Sequence, residues 1–145
     1  MQIMSAGTGV EHSEFNADKS ETLNLLQIWV MPKEHNIKPR YGQVTLNRVD
    51  RENKIQTIVA PDKQGAMWIN QDAYFSRAAF SKDFESIYTI NKSGNGVYVF
   101  LIEGKATIAG NMLEKRDGIG MWETDKIEIK ADSDTELLFI EVPMQ

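Results

Sequence analysis

His12 and Glu14 are the residues whose types and spacing suit chemistry; they stand in Ala6-Gly7-Thr8-Gly9-Val10-Glu11-His12-Ser13-Glu14. On a strand, side chains two apart point to the same face. An imidazole nitrogen and a carboxylate oxygen would then converge on one point. That donor pair suits non-haem iron or another divalent metal with open positions. Two donors are too few for such a centre, and the sequence nearby supplies no third. The plainer reading of the same stretch is a glycine turn leading into a polar surface strand. Short patterns such as His-x-Glu also arise by chance.

The elements around this pair must position it. Gly7 and Gly9 permit a tight bend or a close backbone approach. Residues 1–22 read as strand, turn and loop, with a polar run from Asn16 to Glu21. Leu23 to Val30 is an apolar run of strand length and is expected to be buried on much of both faces. A short helix fits its length as well. Pro32 ends the run, and a loop with prolines near both ends leads to Gly42. A domain boundary is expected there, dividing the chain into 1–42 and 43–145. His35 lies in that loop among charged neighbours and reads as solvated.

Beyond Val44 the punctuation becomes regular. Strands are expected at IQTIVA (from Ile55), AMWI (Ala66), AYFSRAAF (Ala73), SIYTI (Ser86), VYVFLI (Val97), KATIA (Lys105), MLE (Met112), Ile119 to Trp122, KIEIK (Lys126) and ELLFIEV (Glu136). Ser93-Gly94-Asn95-Gly96, Glu103-Gly104 and Gly110-Asn111 supply turns. Short strands at about ten-residue spacing indicate an all-β sandwich or barrel. Trp68, Trp122, Tyr88, Tyr98 and Phe100 are expected in the core or lining the barrel, an aromatic cavity for a flat ligand being the alternative. The acids Glu103, Glu114, Asp117, Glu123, Asp125, Glu128, Asp132, Asp134 and Glu136 are expected to cap backbone N–H groups or to be solvated.

Composition narrows the function classes. A net charge of −5 argues against nucleic acid, because phosphate binding needs a basic face. No apolar run of about 18 residues exists, so a membrane partner is not expected. No secretion signal is evident at the N-terminus, and a cytoplasmic location is expected. With no cysteine there is no disulfide, thiolate nucleophile or cysteine-bound metal. With only two histidines, and none in residues 44–145, the barrel is expected to be packed or apolar inside, with no metal of its own.

Met4-Ser5-Ala6-Gly7-Thr8-Gly9-Val10-Glu11-His12-Ser13-Glu14-Phe15-Asn16 resembles the M-x-A-G-x-G-x-x-H-S-E-x-N signature of pirin-like proteins. Leu26-Gln27-Ile28-Trp29-Val30-Met31-Pro32 and then Pro39-Arg40-Tyr41 are similar to the segment that comes next in that family. Ala131 to Phe139 is similar to the family's closing strands. The resemblance implies a cupin fold, a double-stranded β-helix or jelly-roll barrel, from a family of bicupins with two such barrels. It implies that residues 1–42 are the end of an N-terminal cupin and residues 43–145 the C-terminal cupin. In the family the N-terminal cupin binds one divalent metal, usually iron, through three histidines and one glutamate. His12 and Glu14 match the last two of those ligands, and the sequence lacks the earlier His-x-His strand.

The resemblance implies two alternative functions. One is a metal-dependent dioxygenase of quercetin type, with Glu14 as ligand or catalytic base. Its site would be completed by another chain or exist only in a longer protein. The other is a non-catalytic structural or interaction module, since eukaryotic members are linked to protein partners. The second is favoured for this chain. Leu23 to Val30, without the rest of a first barrel, would leave an apolar edge open to self-association. A homo-oligomer through residues 1–31 is therefore expected. A symmetric dimer would also bring two His/Glu pairs into one site.

Overall fold

The computed structural model describes residues 1–144; the last residue of the expected 43–145 barrel lies outside the described residues. The described residues form twelve strands: β1 (Gln2–Ser5), β2 (Arg40–Gln43), β3 (Ile55–Ala60), β4 (Met67–Trp68), β5 (Tyr74–Phe80), β6 (Glu85–Thr89), β7 (Asn95–Glu103), β8 (Lys105–Ile108), β9 (Asn111–Glu114), β10 (Gly118–Met121), β11 (Lys126–Ala131) and β12 (Thr135–Pro143). Among the described residues the helical content is one 3₁₀ turn, Arg48–Arg51. From β3 onward every strand matches an expected apolar or alternating run to within a few residues.

Alternation decides the layers. Along β11 exposed and buried residues alternate without a break, with Ile127, Ile129 and Ala131 inside. β11 pairs with β6 and β8, and β9 completes a four-stranded sheet in the order β6-β11-β8-β9. The opposing sheet has six strands in the order β10-β7-β12-β5-β3-β4. Non-consecutive neighbours in both sheets are what a jelly roll requires. The inner faces meet in a core that includes Phe80, Val99, Leu101, Ile108, Ile127, Leu137 and Phe139. Each large apolar side chain removed from water contributes about 1.5–3 kcal/mol. Tyr88 stacks on Phe139 across the two sheets, ring centroids 4.7 Å apart.

A second, smaller core lies on the other face of the six-stranded sheet. Phe75 and Ile140 are register partners there, one residue out of phase with inward-facing Ser76 and Phe139. Ile58, Val59, Ala73 and Phe75 form its buried centre, with Met1, Ile3, Val30, Leu46 and Met67 packed around them. β1 and β2 pair antiparallel as a separate two-stranded sheet, Ile3 opposite Gly42. The position expected as a boundary, Gly42, therefore falls within β2.

Two expectations need correction. Leu23 to Val30 forms no strand, and only Val30 is partly covered: Leu23, Leu25, Leu26 and Ile28 are exposed, and Trp29 is 89% exposed. Among the described residues it has no strand partner, and an unpaired apolar run has no second face to bury against. Of the five aromatic residues expected inside, Tyr88 is buried, whereas Trp68, Trp122 and Tyr98 are exposed. Tyr98 sits between inward-facing Val97 and Val99, so pleat alternation turns it outward.

Candidate functional site

The sequence around His12 folds by glycine geometry first. Gly7 has φ +56°, and a Cβ there would overlap the carbonyl of Ile37. The close approach lets Thr8 N–H donate to that carbonyl at 3.2 Å, while Gly9 N–H closes a turn onto Ala6 at 2.8 Å. Both uses anticipated for the glycines occur. The segment beyond them is not a strand. Val10 to Phe15 have no regular structure and all are exposed. The same-face geometry expected for His12 and Glu14 therefore has no ladder to enforce it. Asp18 organises the next turn by accepting from the backbone N–H of Ser20 and Glu21, at 2.8 and 2.9 Å. These bonds hold its carboxyl below the usual range. His35 is exposed, as expected.

Among the described residues, no group of three or more His, Asp or Glu side chains is placed to hold a metal ion. His12 and Glu14 supply two donors on an exposed segment. A divalent transition metal needs three or four, held by second partners that fix their orientation. The described residues of this chain do not by themselves complete such a centre.

A clamp fixes the far end of the segment. Lys33 N–H donates to Asn70 O, Asn70 Nδ2 to Glu34 O and Gln71 Nε2 to Met31 O, at 2.7, 2.7 and 2.9 Å. Lys33 and Lys92 both pair with Asp72 Oδ2, at 2.9 and 2.6 Å. Their hydrogen bonds pull the Asp72 carboxyl below its ordinary value. Residues 31–34 are thus tied to the barrel, while residues 10–29 are exposed throughout.

The most densely bonded polar group lies inside the barrel. Glu141 on β12 is 0% exposed. Its carboxylate accepts from Tyr88 Oη at 2.9 Å, Asn91 N at 2.9 Å, Asn91 Nδ2 at 2.7 Å, Lys92 N at 3.0 Å and Asn95 Nδ2 at 2.9 Å. Buried charge is tolerated when it is fully hydrogen-bonded in this way. Asn95 Nδ2 also donates to Asp72 O at 3.0 Å, linking this network to the clamp. Nearby, Tyr74 donates to Asp62 at 3.1 Å and Lys63 Nζ meets Asn91 Oδ1. Burial, and then its bond to Asp62, push the Tyr74 phenol up to about 12. Burial and the Glu141 charge raise Tyr88 further.

Sequence alone presents the acids of the second half as turn caps or solvated groups and does not single out Glu141. A signal is nonetheless present: in ELLFIEV, Leu137, Phe139 and Glu141 share the inward phase. The turn acids divide. Asp134 accepts from Lys82 N and Asp117 from Glu114 N, both at 2.9 Å, as expected of caps. Glu136 instead pairs with arginines at 2.9 and 2.7 Å.

A family model described as the quercetinase C-terminal cupin domain matches residues 57–142, and one described as pirin matches residues 1–30. Quercetin 2,3-dioxygenase of Escherichia coli (strain K12) is 40% identical over 143 residues, covering 98% of this chain and 60% of the relative. A pirin-like protein of Caulobacter vibrioides is 32% identical over 143 residues, 97% of this chain and 61% of its own length. The crystal structure of YhhW from Escherichia coli superposes with a TM-score of 0.91 at 39% identity, over 99% of this chain and 60% of that one. A structure of this bacterial pirin in complex with nickel(II) gives 0.90 at 38%, over 99% and 61%. The chain therefore spans about three fifths of the relatives it matches.

Proposed function

The chain belongs to the pirin-like, quercetinase-type cupin family, and from that premise we propose that it acts as a non-catalytic cupin module. Its barrel serves as a structural and interaction domain, and residues 1–42 are the closing segment of a first cupin. The observation that carries this reading is the filled interior of the barrel. Inward positions of both sheets hold packed aliphatic and aromatic side chains. The inward carboxylate, Glu141, has its acceptor capacity taken up by protein donors. A cupin that binds a ligand at its centre needs open volume and free donors there.

The exposed residues Leu23, Leu25, Leu26, Ile28 and Trp29 support the second half of the proposal. An apolar row of this kind favours burial against protein. The occupant we propose is a second copy of this chain, giving a homo-oligomer through residues 1–31. A cytoplasmic setting belongs to the same reading; no helix among the described residues is long and apolar enough to cross a membrane.

The alternative is a quercetin-type dioxygenase whose divalent metal is held by His12 and Glu14 together with ligands from another chain, or from the rest of a longer protein. The names of the curated relatives and the nickel(II) complex of the Escherichia coli protein favour it. One experiment separates the two. Metal content is measured by mass spectrometry after equilibration with Fe²⁺, Ni²⁺ or Zn²⁺, alongside the mass of the protein in solution. The module reading expects a metal-to-chain ratio near zero. A stoichiometric ratio that His12→Ala abolishes would overturn it in favour of the alternative. Because both residues are exposed, His12→Ala and Glu14→Ala are expected to change folding stability by no more than about 0.5 kcal/mol.

A further inference from the structure

Arg48 and Arg51 lie on the 3₁₀ turn and Arg77 on the adjacent β5. All three converge on Glu136. Arg48 Nη1 reaches Glu136 Oε1 at 2.9 Å and Arg77 Nη2 reaches Oε2 at 2.7 Å. Arg51 Nη2 stops at 3.6 Å from Oε1, beyond hydrogen-bond range. Three guanidinium charges therefore share one carboxylate, in a chain whose net charge is −5.

The charge left over is poorly satisfied. Arg51 is only 7% exposed. Among the described residues its guanidinium makes one hydrogen bond, Nη1 to Asn47 O at 3.1 Å, and its Nε is buried with no partner. Arg77 Nε is also buried without a partner, as is Oε1 of its register neighbour Gln56. Arg51 is the more enclosed of the two arginines, its side chain 9% exposed against 24% for Arg77. A guanidinium offers five donors, and leaving a buried one so little used is costly. Burial and the neighbouring Arg51 charge both act against the charged form of Arg77, which an added anion would relieve. On the solvent side stands Arg48, whose side chain is 64% exposed.

We propose that Arg48, Arg51 and Arg77 form a binding site for a small oxyanion, the phosphate or carboxylate group of a ligand, which shares the guanidiniums with Glu136. Planar guanidinium forks match both groups. Glu136 is the resident competitor, holding the arginines in place when no ligand is bound.

The test titrates inorganic phosphate, and separately acetate, into the folded protein at constant pH and ionic strength, with chloride as the reference anion. Nuclear magnetic resonance of the arginine Nε–Hε groups reads occupancy and thermal unfolding reads stabilisation. The expected result is a saturable shift centred on Arg51, with a rise in Tm that chloride does not give. Glu136→Gln removes the competing charge and should tighten binding by about tenfold, the worth of one charge-assisted contact. Arg48→Ala, at an exposed position, should weaken binding by a similar factor without unfolding the protein. Response to phosphate, to acetate or to both supports the site and tells which oxyanion it prefers. No saturable response to either in the wild-type protein would overturn the proposal, as would binding untouched by Arg48→Ala. Those outcomes would leave an ion-pair cluster hydrated by water alone.

Discussion

The Tyr88 hydroxyl donates to Glu141 Oε2 at 2.9 Å, and through this bond β6 of the smaller sheet is joined to β12 of the larger one inside the barrel. Both side chains are buried. The same carboxylate gathers the backbone N–H groups of Asn91 and Lys92, so one side chain fixes the β6–β7 connection as well. Glu141→Ala would strand several buried donors at once. The expected loss is about 3–5 kcal/mol, the range for breaking a buried charged network. Tyr88→Phe removes one bond to a charged group that keeps its other donors, and about 1.5–3 kcal/mol is expected. Urea unfolding monitored by circular dichroism measures both.

Alkaline pH should weaken the fold through its tyrosines. Tyr74 is raised from 10.0 to about 12, and Tyr88 is raised in the same direction. A raised phenol keeps its proton in the folded chain after the unfolded chain has lost it. Stability is therefore complete below pH 10 and falls as pH rises from 10 toward 12, since the folded state then binds more protons. Tyr74→Phe should flatten part of that fall. Unfolding free energy measured across this window, with phenolate absorbance in parallel, checks the sign.

Trp29→Ser combined with Leu26→Ser should convert the proposed oligomer to a monomer. Both side chains are exposed in the single chain, so the fold itself should lose less than about 0.5 kcal/mol. Light scattering on the wild-type protein and the double variant gives the masses. A monomer already in the wild type at micromolar concentration would exclude self-association through this row.

Gly7→Ala should detach residues 6–9 from residues 37–39. The added Cβ would overlap Ile37 O, and the left-handed φ of +56° adds strain of about 1–3 kcal/mol. The barrel core lies elsewhere and should survive. Hydrogen exchange is expected to quicken at Thr8 and Gly9 while the amides of β11 and β12 stay protected.

The strand pattern from Ile55 to the end of β12 is legible in the sequence. Period-two alternation in KIEIK and turn residues at Ser93-Gly94 and Glu103-Gly104 are local signals, and local signals suffice to mark where strands begin and end. The family, too, is legible in the Ala-Gly-Thr-Gly-Val-Glu-His-Ser-Glu stretch. Other features depend on what lies opposite in space. Leu23 to Val30 has the composition of a buried strand, yet burial needs a partner, and among the described residues none covers Leu23 to Trp29. Tyr98 and Trp122 are as apolar as core residues, but pleat phase and strand end send them outward. Glu141 and Glu136 stand five residues apart on the same strand. One turns inward to a ring of donors and the other meets three arginines, because their pleat phases differ and their partners come from distant elements. Sequence by itself determined where the strands from Ile55 onward begin and end, and the family. Only the tertiary structure decided which polar groups are satisfied, since that depends on contacts between residues far apart in the chain.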